Sequence, residues 1–451
     1  MQTDTAVRDS LRALVLSRLL VWASATGAIL AFGFGPVRGA FNPPGLTRGF
    51  GPLGDLLAAP AARWDASWYL VIAHYGYRPD LGSFTASRTA FFPLYPLALR
   101  VLSSVGPPPV LAGVLLSLAA LALALYGIHR LTTLELGGLP HAARAARLAV
   151  ALVAFAPMAV FLSAVYSESL YLALSVGVFW FARHGRWASV AALGALAAAT
   201  RSAGVVLLVP VLVLYLYGPR EDRAPDAAAP DGVALDRTSA RSPAARHWPP
   251  VAARHLAWLR PRYRVRRDIV WLAALPAGLG AYLAYLALAG ADPLLPFHAQ
   301  DVWGRRFAGP YGGVWSGAVA AFDGARQLLS GQEHHAYFTP VDGNPFGAAA
   351  HNLTLFAFLA LALPALLGVL RRLPLAYGAY VLAALALPLS YPVGAQPLMS
   401  LPRFLLVLFP LAMWLAMWLV PRPRAARALL CASALAMALF GAAFATWHWV
   451  A

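Results

Sequence analysis

Long apolar runs separated by short polar stretches recur along nearly the whole chain, and their lengths decide what kind of protein it encodes. The first, Ala13 to Phe34, follows Arg8 and Arg12. It is longer than a signal-peptide core and lacks a small-residue cleavage site before the next polar stretch, so it reads as a retained anchor. Further spans are predicted at Val110 to Ile128, Leu148 to Ala164, Leu170 to Ala182, Ala188 to Ala199, Ala203 to Tyr217, Ile269 to Ala289, Leu353 to Leu370, Leu373 to Ser390, Phe404 to Val420 and Ala428 to Trp449, eleven with the first. Several are shorter than the roughly 20 residues a perpendicular helix needs, and the two flanking Arg201 read equally as one broken helix. Gly35 to Ser87 is a non-spanning segment rich in Gly, Pro and aromatics. Phe91 to Val105, apolar but short and broken by Pro93 and Pro96, predicts an interfacial or re-entrant helix. The fold class expected is an all-α polytopic membrane protein with a long first outer loop.

Composition agrees, since 60% hydrophobic and 12% charged residues with a mean hydropathy of +0.64 exclude an ordinary soluble domain, whose charged fraction is about 25%. A net charge of +17 raises the question of nucleic acid. The distribution answers it, because the surplus lies in short interhelical loops, where anionic headgroups and topology draw it. Every basic residue is Arg and Ala is abundant, which reads as coding bias in a GC-rich bacterial genome. With the N-terminus in the cytoplasm, inner segments hold 23 Arg and outer segments 11, as the positive-inside rule requires. Arg18, one to two turns into the first span, is expected to snorkel back to the headgroups.

Three regions follow. Residues 1–217 form an N-terminal membrane half whose first outer loop is 35–107, and residues 269–451 a C-terminal half with an outer loop at 290–351. Between them, 218–268 begins rich in Pro, Ala and Asp and ends in RPRYRVRR, which reads as a partly disordered cytoplasmic linker whose Arg cluster meets anionic membrane lipid. The single cysteine, Cys431, precludes an intrachain disulfide and is expected to serve packing.

Polar features that a solvating loop would not need collect on the outer side. In RWDASWYLVIAHYGY, Trp64, Trp68 and Tyr69 recur at helical spacing beside Asp65, which describes either an interfacial helix carrying a functional carboxylate or a helix capped by one. In AVYSESLY, Tyr166 and Glu168 sit at the outer end of a span, where a cap is again the simple account. Arg201 in AATRSAG is flanked by apolar helices, which is unfavourable unless it reaches water or an anion. DPLLPFHAQDVWGRR gathers His298, Gln300, Asp301, Trp303, Arg305 and Arg306 in one short segment. In SLPRFLLVLFP, Arg403 opens a helix whose amino end faces outward, a combination suited to phosphate. No nucleotide-type glycine loop, HExxH, GxSxG or closely spaced Asp pair is present, so no metal or cofactor is expected. The adjacent His334 and His335 have poor geometry for one metal.

These stretches together, with AFFPLYPLALRVL, resemble the PIG-V type mannosyltransferase family, in order from about Leu11 to Val420. The resemblance implies an integral membrane glycosyltransferase of the C superfamily, with a catalytic carboxylate in a long first outer loop and a polyprenyl-phosphate sugar as co-substrate. Asp65 lies in that loop and becomes the expected base for an inverting mannosyl transfer. Arg201, Arg403, Arg305 and Arg306 are the expected donor-phosphate ligands, and Trp64, Trp68, Tyr69, Tyr166, Glu168, His298, Gln300, Asp301 and Trp303 the expected substrate contacts. The eukaryotic members act on the GPI-anchor precursor, an acceptor that a bacterial chain does not inherit. A lipid or glycan acceptor at the outer face of the bacterial inner membrane is expected instead. Alternatives are a transferase of the same fold using another polyprenyl-phosphate sugar or a protein acceptor, and a lipid flippase or transporter. The latter is disfavoured by polar residues gathered at one side and by the lack of an inverted repeat.

Overall fold

A computed structural model of the chain describes residues 2–36, 39–78, 87–226, 261–332 and 345–451. The protein is helical, with no strand among the described residues and only two isolated backbone bridges, Pro44 to Arg48 and Arg305 to Val393. Four helices are long and apolar enough to cross a membrane alone: Asp4–Phe32, Pro109–Leu136, Phe346–Arg372 and Pro423–Ala445. Arg267–Ala274 and Ala277–Leu288 form a fifth candidate bent by 44° at Pro276. Each of the other expected spans coincides with a shorter or broken helix, and the protein is an integral membrane protein. The interfacial helix expected near Phe91 is Leu94–Ser104.

The breaks have local causes. The span expected over Leu148 to Ala164 is a helix Ala142–Ala154 followed, past Pro157, by a 3-10 turn Ala159–Leu162. A proline offers no amide to the preceding turn and turns the residue before it away from α geometry, so carbonyls there lose their helical donors. Arg18 supplies replacements. It donates to Ala154 O at 2.9 Å, Ala159 O at 2.6 Å and Ser163 Oγ at 2.9 Å. The side chain expected to snorkel is instead 6% exposed, because backbone polar groups in an apolar bundle must find partners inside it. Leucine at position 18 would take away these donors, at about 1–3 kcal/mol for a carbonyl left unpaired such as that of Ala154. Detergent-purified Arg18→Leu should therefore melt well below the wild type, and an unchanged melting temperature would contradict this assignment.

The segments between the long apolar runs pack as follows. Residues 312–330, assigned to an outer loop, form a helix Gly312–Ser330 on the Pro345–Arg372 helix. Gly324 makes the approach, since a Cβ there would stand 2.8 Å from Ala349 O, while Gly313 and Gly317 leave room for Leu389 and Leu398, 2.8 and 2.6 Å from where a Cβ would be. The described ends of the linker are folded onto the bundle: Arg262 N donates to Leu216 O at 2.8 Å, and the Arg220 guanidinium lies over Trp187 at 4.8 Å and Tyr263 at 5.2 Å. Aromatic stacking and backbone pairing hold these two ends, and residues 227–260 lie outside the described residues. Cys431 is exposed on the last helix rather than packed. His334 and His335 lie outside the described residues.

The first helix, Gln2–Phe32, is 31 residues long, about 45 Å at 1.5 Å per residue, and so measures the bundle from end to end. Phe34, just past its carboxyl end, meets Arg63 beside the cavity described below. Arg8 and Arg12 lie at its opposite end.

Candidate active site

The turn before the helix Ala66–Tyr75 positions the first carboxylate. Trp64 takes the left-handed conformation, φ 54°, which a bulky side chain adopts only when its surroundings impose it. Here its ring is wedged against Phe41, Trp447 and Trp449 at 5.7, 5.6 and 5.4 Å. Arg63 fixes the same turn by donating to Ala445 O at 3.0 Å, where a cation also suits the carboxyl end of the last helix. Asp65 stands at the N-cap position of its helix, yet its carboxylate makes no cap hydrogen bond. The capping account of this residue therefore does not hold.

Asp65 Oδ2 instead accepts from Arg403 Nη1 at 2.9 Å. Arg403 is delivered by the six-residue helix Leu401–Leu406, entered through Ser400 at φ 67°. Its guanidinium is sandwiched near Phe161 and Tyr166, at 4.7 and 4.9 Å from their ring centres. Its remaining donors turn to Glu168: Nη2 reaches Oε1 at 2.8 Å and Nε at 3.1 Å. Arg201 Nη1 lies 3.0 Å from the same Oε1. Glu168, with 0% of its side chain exposed, is thus the hub that orients two arginines. Two carboxylates and two guanidinium groups balance in charge, and a third cation stands beside them. Arg305 donates to Tyr391 O at 3.2 Å, lies 6.0 Å from the Phe404 ring whose neighbourhood Arg201 shares at 5.5 Å, and has no acidic partner among the described residues. Burial, then repulsion by Arg403, holds it down to about 10, still charged at neutral pH.

All this borders a cavity of about 1380 Å³. Of the expected site residues, Trp64, Asp65, Tyr69, Arg201 and Arg403 line it, as do Gln300, Asp301, Trp303, Arg305 and Arg306 from the outer segment. That segment is held in place by Arg306 N donating to Pro392 O at 3.3 Å and Ala308 N to Ser390 O at 3.0 Å. Burial lifts the Tyr69 phenol to about 12, so it remains a protonated partner of Ser167 Oγ at 2.9 Å. Four expected contacts do not line the cavity. Trp68 stacks on Phe91 at 5.5 Å and 17°, and Tyr166 is buried, donating to Arg63 O at 3.0 Å. Glu168 is behind the wall, with no exposed surface, where it orients arginines. His298, the last residue of the short helix Leu295–His298, is exposed and pairs with Asp292 at 2.9 Å.

Sequence reading missed the far wall. The last helix ends at Ala445, short of the Trp449 expected, and Trp447, His448 and Trp449 then line the cavity after Trp447 turns at φ 66°. Two tryptophans around a histidine at the end of an apolar run were the available signal. His351 and Gln396, also lining, are lone polar residues with no such signal.

Residues 52–216 match the model of the mannosyltransferase (PIG-V) family. The GPI alpha-1,6-mannosyltransferase 2 of Rattus norvegicus is 36% identical over 182 residues, covering 37% of this chain and 34% of the relative. The Mus musculus protein of the same name is 35% identical over 182 residues (38% and 35%), and that of Homo sapiens 34% over 176 residues (37% and 34%). The chain therefore spans about a third of the length of the curated relatives it matches. No solved structure matches it. The resemblance, expected over residues 11–420, is thus found by the family model over 52–216, which holds Asp65, Glu168 and Arg201 but neither Arg305 nor Arg403.

Proposed function

We propose that this chain, whose residues 52–216 resemble the PIG-V mannosyltransferases, is an inverting mannosyltransferase that uses a polyprenyl-phosphate mannose donor at the extracytoplasmic face of a bacterial plasma membrane. The observation that carries the reading is the Asp65–Arg403 pair, at 2.9 Å, on the wall of a cavity bordered by a further unpaired guanidinium. In this reading an acceptor hydroxyl, on a lipid or glycan, attacks the anomeric carbon of the sugar. Its proton passes to Asp65 Oδ1, which takes no hydrogen bond from the described residues, while Arg403 holds Oδ2 and so the orientation of the group. The new bond from acceptor oxygen to carbon forms as the bond from carbon to phosphate oxygen breaks. The lipid phosphate leaves ionised and needs no general acid. A β-linked donor then gives an α-mannoside.

Charge balance supports Arg305, with Arg201 and Arg306 nearby, as the seat of the phosphate, and gives Arg403 mainly the task of holding Asp65. Purified protein incubated with radiolabelled polyprenyl-phosphate mannose and membrane lipid extract should label a glycolipid. No transfer from any polyprenyl-phosphate sugar would overturn the reading. Arg305→Gln should lower kcat/KM for the donor by about ten- to a hundredfold, as loss of a charge-assisted hydrogen bond implies. An unchanged donor dependence would move the phosphate elsewhere.

A further inference from the structure

At the end of the bundle remote from Asp65, the first helix and the helix Ala142–Ala154 lie side by side and enclose a recess of about 260 Å³. On the first helix, Arg8, Arg12 and Leu16 follow at intervals of four, hence along one face. On the second, Arg147, Ala151 and Phe155 have the same interval and also line the recess. Both helices start at this end, so the arginines lie nearer it and the apolar side chains one to two turns deeper on both walls. The acid in the recess is already engaged: Asp9 is buried, accepts from Arg147 Nε at 2.9 Å, and lies 3.7 Å from His129 Nε2. Arg8 and Arg12 are exposed and pair with no acid among the described residues. Leu16, at the deep end, is 59% exposed to whatever surrounds the bundle.

An inorganic anion would use the arginines and leave the apolar floor bare. A neutral lipid would cover the floor and leave the arginines without a counter-charge. We propose that the recess binds the phosphate of an anionic phospholipid, with Arg8 and Arg12 on the headgroup and the first methylenes of an acyl chain along Leu16 and Phe155. Basic pockets between membrane helices recognise acidic headgroups in this way. The inference stands apart from the catalytic reading, since none of these residues borders the larger cavity.

The test uses the delipidated full chain in detergent, with phosphatidylglycerol and phosphatidylcholine as probes and native mass spectrometry as the readout. Phosphatidylglycerol should be retained over phosphatidylcholine, and Arg8→Gln/Arg12→Gln should weaken that retention about thirtyfold, from two juxtamembrane charges. Arg371→Gln/Arg372→Gln removes equal charge from another helix terminus and should leave retention unchanged. Equal retention of the two lipids, equal loss in both double variants, or displacement of phosphatidylglycerol by millimolar inorganic phosphate would each overturn the proposal.

Discussion

Asp65→Asn should slow sugar transfer by about a hundred- to ten-thousandfold, the usual contribution of a general base. The amide keeps the shape of the side chain and can still accept from Arg403 Nη1 at its single carbonyl oxygen, so the turn held by Trp64 and Arg63 has no reason to move. Donor binding should therefore change little. Single-turnover rates with saturating donor, set beside donor retention by the same protein, separate the two quantities. A variant that keeps wild-type turnover would remove Asp65 from the chemistry and leave it as a partner for Arg403. A variant that loses donor retention in proportion would instead make it a binding residue.

Arg403→Gln should behave differently, because the loss falls on structure as well as rate. Arg403 neutralises Glu168, which is fully buried and, among the described residues, has Arg201 as its one other cationic partner. Breaking a buried ion pair from one side leaves a charge without compensation, which typically costs about 3–5 kcal/mol. The variant should melt markedly lower and be inactive, whereas a phosphate ligand reaching into open solvent would lose activity alone. Arg403→Gln combined with Glu168→Gln removes both charges, and much of the lost stability should return while activity does not. If the single variant melts like the wild type, the hub described for Glu168 is not carrying the fold.

What could be read in the sequence follows from the range of each signal. The eleven apolar runs each fell on a helix because hydropathy over a span is a sum of many residues, and the bilayer constrains its length. Pro157, visible in the sequence, marked the break after Ala154, but not where the freed carbonyls would turn, because Arg18 is 136 residues from Ala154. The residue types at the site were legible: a carboxylate in a first outer loop, and arginines at helix ends. Their pairing was not. Nothing local to Arg403 says that it faces two carboxylates rather than a phosphate, and nothing in AVYSESLY says that Glu168 ends with no exposed surface. Likewise Gly313, Gly317 and Gly324 encode close contacts with Leu389, Leu398 and Ala349, none of them near in sequence to its glycine.

The pairing of Asp65 with Arg403 joins positions 338 residues apart. At about 5–20 residues per second of synthesis, roughly 20–70 s pass between the emergence of the acid and that of its partner. Until Arg403 arrives, Glu168 has Arg201 as its one cation among the described residues, and the turn at Trp64 lacks the Trp447 and Trp449 rings that hold it. The matched segment therefore leaves the ribosome without a working site, and the last quarter of the chain both completes the charge balance and closes the wall. A nascent chain stopped before residue 403 carries an acid with half its compensation inside a membrane bundle, a mark by which an unfinished copy differs from a finished one.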